Sequence, residues 1–442
     1  MSSSVAATKA KANVDVRVHH VTRVEGHGNI VVDVKNGKIK ECQWQVVEAP
    51  RFFEAMVVGR RWSEMAHITS RICGICSIGH TMTSLKATEA ALGIKPSEQT
   101  IKLRKILTHG ENLQSHVLHA GYLVVPDLFG VGSVIPLAST HKDAVLAVVR
   151  LHRLANEMCD LFGGRTTHPI TAVVNGFTSI PKPKDMKAMR DRLEASIADL
   201  KAVAGVVLSV ADKIPPFTRE TEYIGLTTPE EYALYDGDIG STDGGTWPVK
   251  EYRKITNEYC VPQSTAKYAK HNRSSYAVGA LARFNLNHKQ LQGPSKEVAA
   301  MLGLKAPCYN PYMNSVAQIV ECVDSTLESI RLIDEVLAAG VEEEDAYMKV
   351  EPKAGQGVGS VDVPRGILFH DYTFDANGVC TAANCIIPTN QNHASIQDDF
   401  EAILPQILGK SEKEIELTLE MLVRSYDPCI SCSVHYLNVE FV

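Results

Sequence analysis

The chain has 442 residues, 45% hydrophobic and 22% charged, with a formal charge of −6 and a pI near 6.3. That balance suits a globular protein with a sizeable core and excludes a disordered chain or a basic nucleic-acid-binding surface. No apolar run reaches the roughly 18 residues of a membrane span, and eleven scattered cysteines fit reduced thiols in a cytosol better than a disulfide framework.

Residues 1–13 lack an apolar segment and read as a flexible tail, not a secretory signal. Two β-rich runs, 28–34 and 38–47, flank Asn36-Gly37, a strong hairpin signal that places Glu25 and His27 at the entry to a strand. From about residue 62 the pattern turns helical, with a helix over 84–92 closed by Gly93 and Pro96. Long helices are predicted at about 98–125, 141–162, 184–213 and 313–340. In the last, Val316, Ile319, Val320, Val323, Leu327, Ile330 and Val336 mark one buried face. The stretch 214–312 is richer in Gly, Tyr, Asn and Pro and reads as an irregular insertion covering one side of the bundle. Residues 359–390 look β-like again, with Asn377-Gly378 suggesting a second hairpin. Ser411 and Glu414 form a capping-box pattern for a final helix that stops before Pro428. The prediction is an α+β fold, predominantly helical: a long-helix bundle with small β elements near both ends, as one body.

Two CxxC pairs stand at opposite ends of the chain: Cys73-Gly-Ile-Cys76, with His80 after it, and Cys429-Ile-Ser-Cys432, with His435 after it. Each pair can close on one ion, and together they offer four soft sulfur ligands. Zinc, nickel and iron all satisfy that ligand set, and two unrelated turns or a structural zinc remain open on spacing alone. Either way, four ligands meet only if the fold brings the chain's ends together.

The sequence around the pairs narrows this. Arg71-Ile-Cys73-Gly-Ile-Cys76-Ser-Ile-Gly-His80 and Asp427-Pro-Cys429-Ile-Ser-Cys432-Ser-Val-His435 resemble the two signature motifs of the large subunit of [NiFe] hydrogenases. So do Thr22-Arg23-Val24-Glu25-Gly26-His27, Pro50-Arg51-Phe52-Phe53-Glu54, Leu113-Gln114-Ser115-His116-Val117-Leu118-His119 with Pro126-Asp127, Gly163-Gly164-Arg165 with His168-Pro169, Pro364-Arg365-Gly366, and Pro388-Thr389-Asn390-Gln391-Asn392. They occur in the family's order and cover most of the chain.

The resemblance implies a fold, an activity and a site. The activity is reversible oxidation of H2 at a binuclear nickel–iron centre whose iron carries CO and cyanide. Cys73 and Cys429 would be terminal nickel ligands, and Cys76 and Cys432 would bridge to iron. Glu54, the backbone carbonyl of Cys385 and His435 would hold a magnesium or similar ion. Cys429 would be the base and Glu25 the proton relay, buried and therefore raised in pKa. Arg365 would overhang the open position, with Asp127 and Asp427 anchoring it and Pro388 and Thr389 packing around the cyanides. Where the family has Glu-Ala before Pro-Arg-Gly, this chain has Asp362-Val363, which puts the partner of Arg365 in doubt. His80, His116, His119 and His168 read as packing or hydrogen-bonding residues, and the remaining cysteines lack ligand spacing.

Without iron–sulfur motifs of its own, the chain implies a separate iron–sulfur small subunit to carry electrons away. The motif details resemble the cytosolic, cofactor-coupled branch, with further subunits linked to NAD(P), a deazaflavin or a heterodisulfide reductase. A maturation protease would remove the tail, 436–442, after His435. The rival readings are an H2-sensing regulatory relative, a complex I-like quinone-binding subunit, which typically lacks the CxxC pairs, and a structural-zinc interaction protein.

Overall fold

The structure, a computed structural model, describes residues 13–434. Apart from Asn13, the expected N-terminal tail lies outside that range, as do His435 and the expected C-terminal tail. Three strands, β1 (Val14–Val18), β2 (Gly28–Lys35) and β3 (Lys38–Val46), form an antiparallel sheet in that order. Alternation buries Val14, Val16, Val18, Ile30, Val32 and Val34 on one face. The turn is Asn36-Gly37, at φ 50° and 72°, as the sequence predicts. Strand β1 has the same alternation but was not anticipated.

Helix α1 (Ser77–Leu92) begins directly at the first CxxC pair, earlier than the predicted residue 84. Helix α2 (Glu98–Leu118) is capped by Ser97, whose side chain accepts the Thr100 amide. The single predicted helix over 98–125 instead widens into a π turn at His119–Val124 and resumes as Val125–Leu128. Helices α3 (Lys142–Gly163), α4 (Pro183–Leu208) and α5 (Asn314–Ala339) follow the predicted ranges closely. With α2 they close a four-helix ring in which α5 packs against α2 and α4, and α3 against both as well.

The stretch 214–312 is more ordered than expected. It holds a four-stranded sheet that includes Glu222–Thr227 and Asp238–Ser241, and the helices Ala280–Asn287 and Gly293–Met301. Beyond the bundle, β4 (Gly355–Val363), β5 (Gly366–Phe374) and β6 (Cys380–Ile386) form a second antiparallel sheet. Helix α6 (Pro388–Ile407) follows, unforeseen in the sequence, and then α7 (Glu412–Ser425) with both halves of the predicted Ser411–Glu414 capping box.

The two ends of the chain meet. Glu25 bridges to Cys429, and its backbone carbonyl accepts the Ile430 amide at 2.9 Å. Strand β4 lies on α1 so closely that a side chain at Gly357 or Gly359 would strike the α1 backbone.

Candidate metal centre

All four cysteines of the two pairs converge. Their sulfurs lie within 4.8 Å of one another, and the side chains are at most 4% exposed. Cys73 stands in the loop before α1 and accepts the Cys76 amide on its sulfur at 3.0 Å. Cys76 occupies the N-cap of α1. The second pair follows α7, with Cys432 in a one-turn helix, Ile430–Ser433.

Cys73 and Cys429 sulfurs are 3.6 Å apart. That is close to the edge, about 3.8 Å, of a tetrahedron with metal–sulfur bonds of about 2.3 Å. Cys429 and Cys432 sulfurs are in disulfide contact, so ligation needs that pair reduced. The donor set, four convergent sulfurs shielded from water, fits a soft or borderline metal.

The thiols are also electrically prepared. Burial pushes Cys73 up, but the hydrogen bond from Cys76 and the charge of Arg365 outweigh it and hold Cys73 below the ordinary cysteine value. Cys76 moves well above it, because it donates to Cys73 and is buried.

Arg365 reaches the cluster from a tight turn. Val363 pairs with Gly366, so Pro364-Arg365 is the two-residue link between β4 and β5. Gly366, at φ 132°, lies so near Val278 that a side chain there would collide with it. The guanidinium is 3% exposed. Its Nε donates to the Asp427 carbonyl at 2.8 Å, and Nη2 pairs with the Asp427 carboxylate at 2.9 Å. Burial alone would lower its pKa; Asp427 and the two nearby thiols raise it, so it stays charged.

The other predicted residues divide. Asp127 differs from expectation: its carboxylate is filled by Arg23 and by both Nε and Nη2 of Arg424, and Arg365 is anchored by Asp427. Asp362, the departure before Pro-Arg-Gly, binds Arg283 at 2.6 Å and the Leu226 amide at 2.9 Å rather than Arg365. Glu25 is half-buried instead of buried, because it lies at the edge of the N-terminal segment. Its carboxylate takes the Ser431 amide at 3.1 Å and the Ser431 hydroxyl, between Cys429 and Cys432.

Pro388 is the first residue of α6 and Thr389 the second. The Thr389 hydroxyl accepts the Cys429 amide at 3.0 Å and keeps its own proton to donate. Glu54 accepts the Cys385 amide at 2.8 Å. Within a strand a residue's own N–H and C=O leave on the same edge, so the Cys385 carbonyl leaves on the edge where Glu54 accepts the amide. His435 lies outside the described residues.

His80 meets His370 at 3.2 Å, His116 meets Glu321 at 2.7 Å, His119 meets Gln318, and His168 meets the Ser70 carbonyl. None of the four belongs to the sulfur cluster. The sequence reading missed Gln318, Arg424 and Ser431. All three are polar residues at buried or helix-end positions, where the apolar spacing used to find helices carries no signal about them.

Comparison with known proteins decides which metal chemistry this shell belongs to. The family described as nickel-dependent hydrogenase matches residues 51–144 and 246–435. A second, described as HoxL-like, matches 15–49. The chain belongs to the nickel-dependent hydrogenase family.

It is 31% identical to the alpha subunit of sulfhydrogenase 1 of Pyrococcus furiosus, over 96% of this chain and 98% of that protein. It is 28% identical to a subunit of the vhc F420-non-reducing hydrogenase of Methanococcus voltae, over 96% and 95%. The fold matches a chain of an NAD+-reducing [NiFe]-hydrogenase crystallised in the H2-reduced state, with TM-score 0.85, 24% identity, and coverage of 96% and 100%. It also matches the Ni-Fe-Se hydrogenase of D. vulgaris Hildenborough, with TM-score 0.73, 22% identity and the same coverage. The protein is the large, metal-bearing subunit of an oxidoreductase acting on H2. Its relatives are named as single subunits of larger hydrogenases, which implies a small-subunit partner. No described helix is long and apolar enough to cross a membrane.

Proposed function

We propose that this subunit splits H2 into two protons and two electrons at a nickel–iron centre held by Cys73, Cys76, Cys429 and Cys432. The terminal and bridging roles are those that the resemblance gives. The observation that carries the reading is the convergence of four buried sulfurs, from both ends of the chain, beneath the charged Arg365. When bound, such a centre supplies the Lewis acid that polarises H2 and accepts its electrons.

The chain's own residues do the rest. The Cys429 sulfur is the base that takes the first proton. Glu25 is placed to receive it, since its backbone is joined to Ile430 and its carboxylate to Ser431, on either side of that pair. Arg365 fixes a positive charge over the cluster and excludes water from it. Pro388 and Thr389 form the wall behind Cys429, where a hydroxyl donor suits a cyanide nitrogen, as the family's iron ligands require.

Glu54 and the Cys385 carbonyl are hard oxygen donors on the same strand edge, which supports a magnesium or similar ion there, completed by His435. Electrons leave through an iron–sulfur small subunit. Further subunits linked to NAD(P), a deazaflavin or a heterodisulfide reductase, a maturation protease acting after His435, and a cytoplasmic location complete the proposal. We also take residues 1–442 as a single large-subunit domain, with 214–312 as its insertion.

Elemental analysis of anaerobically purified protein tests the centre. About one nickel per chain with iron beyond that of partner clusters is expected; stoichiometric zinc without nickel would overturn it.

A further inference from the structure

We infer that Gln318, backed by His119, is a positioning residue that fixes the Asp427 carboxylate and, through it, the Arg365 guanidinium. The inference rests on the H2-splitting reading above and adds a component to its machinery.

The argument starts from Asp427. Its backbone is in the left-handed region at φ 50°, uncommon outside glycine but one that aspartate enters more readily than most residues. Each carboxylate oxygen has its own donor: Arg365 Nη2 on Oδ1 at 2.9 Å, and Gln318 Nε2 on Oδ2 at 2.9 Å. Rotation about the terminal bond of an aspartate is soft, so one donor would not set the carboxylate plane. Two donors from different elements do.

Gln318 is itself held in one orientation. A carboxylate only accepts, so the amide nitrogen faces Asp427 and the amide oxygen faces away. That oxygen lies 2.5 Å from His119 Nδ1, and His119 Nε2 lies 2.7 Å from the Arg424 carbonyl. The ring is thus held between two acceptors on different elements, and its Nε2 stands 3.8 Å from Asp427 Oδ1.

The assembly is anchored at both ends. Gln318 projects from α5, and His119 opens the π turn that widens the end of α2. A π turn often marks a position where a helix is bent to serve a site, and here it sets the ring between α5 and the α7 carbonyl. Gln318 and His119 are at most 1% exposed. Besides Asp427, the guanidinium meets Ser115 Oγ at 3.5 Å, too long to hold it. Arg365 is therefore aimed by Asp427, and Asp427 by Gln318.

The test uses the complete nickel-loaded enzyme with Q318M and Q318E. Methionine preserves volume but cannot donate; glutamate preserves shape and still accepts from His119, but sets a carboxylate against Asp427. The inference expects nickel per chain to match wild type, kcat for H2 to fall about 10- to 100-fold, and the crystal structure to show Arg365 displaced from the carboxylate of Asp427. In a D427N background, Q318M is expected to add less than about a two-fold further loss, since it acts through that carboxylate.

Wild-type turnover in Q318M or Q318E, an undiminished loss in D427N, or an unmoved Arg365 overturns the inference. If neither variant loads nickel, Gln318 builds the fold rather than aims Arg365, and the inference also falls. A wild-type protein that holds nickel yet turns over no H2 sinks the functional reading instead; the position of Arg365 in Q318M would still be decisive here.

Discussion

Arg283 lays two nitrogens on the two oxygens of Glu321, at 2.8 and 2.7 Å, with both side chains at most 1% exposed. Glu321 also accepts from Tyr232 at 2.7 Å and meets His116 at 2.7 Å, and Arg283 continues to Asp362 and the Pro364 carbonyl. This network ties α5 to the strand that presents the Pro364-Arg365 turn. A buried pair broken on one side strands the other charge at a cost of about 3–5 kcal/mol. Glu321→Ala should therefore destabilise the protein by that order, read as a fall in denaturant midpoint. A loss under about 1 kcal/mol would show that water or rearrangement replaces the pair.

Asp324, one turn further along α5, gives a pH effect of opposite sense to most carboxylates. Burial raises its pKa from 3.8 to about 7, only partly offset by the Gln292 amide at 3.1 Å. The folded state therefore holds a proton that the unfolded chain has released once pH passes about 4. Stability attributable to this group falls as pH rises from there to about 7, then levels off. Asp324→Asn keeps an acceptor for Gln292 and removes the cost. The melting temperature of the variant should exceed wild type at pH 8, with the gain shrinking toward pH 4; an equal gain at both ends would refute the assignment.

The same helix shows what could be read from the sequence. Its apolar spacing located α5 within a residue or two, Asn36-Gly37 located the first hairpin, and Ser411 with Glu414 located the start of α7. The four cysteines were likewise legible, because metal ligands need particular atoms at short spacing. Helix α6 was not. Thr389, Asn390, Gln391, Asn392 and His393 are all buried and polar, so its first turns have no apolar stripe. Their role is to donate and accept across the interior, as Gln391 does to the Ile367 carbonyl and Asn392 does for the Val278 amide. Periodicity detects burial against an apolar core and is silent where the burial is polar. Gln318 and Glu321, buried polar residues on α5, leave no such signal for the same reason. A motif gives residue types and so points Asp127 at Arg365, while the partner it binds depends on Arg424 arriving from another helix.

Strand β4 predicts a steric effect on the metal site. A methyl at Gly359 would come 2.3 Å from the Thr83 carbonyl and 2.4 Å from the Ala87 nitrogen; at Gly357 it would meet the Ala91 nitrogen at 2.2 Å. These are backbone atoms of α1, so no side chain can yield, and either the strand or the helix must shift. Because Cys76 caps α1, Gly359→Ala should lower nickel content as well as stability, the latter by more than about 2 kcal/mol. Full nickel loading with an unchanged melting temperature would mean that the two elements separate without disturbing the cluster.

Glu25 and Ser431 allow the proton route to be separated from metal binding. Neither is a cluster ligand, yet the carboxylate is bound to the Ser431 amide and hydroxyl beside Cys432. Glu25→Gln retains the shape and an acceptor for the amide but cannot carry a proton as a carboxylate does. Nickel per chain should stay at the wild-type level while H2/D+ exchange falls by about 100-fold or more, within the range general acid–base groups supply. Ser431→Ala removes only the hydroxyl, leaving the amide to hold Glu25, and should cost far less, about ten-fold at most. Exchange in Glu25→Gln equal to wild type would send the proton by another route. Exchange lost equally in Ser431→Ala would make the serine hydroxyl part of the relay, since the two variants differ only in which oxygen can pass a proton on.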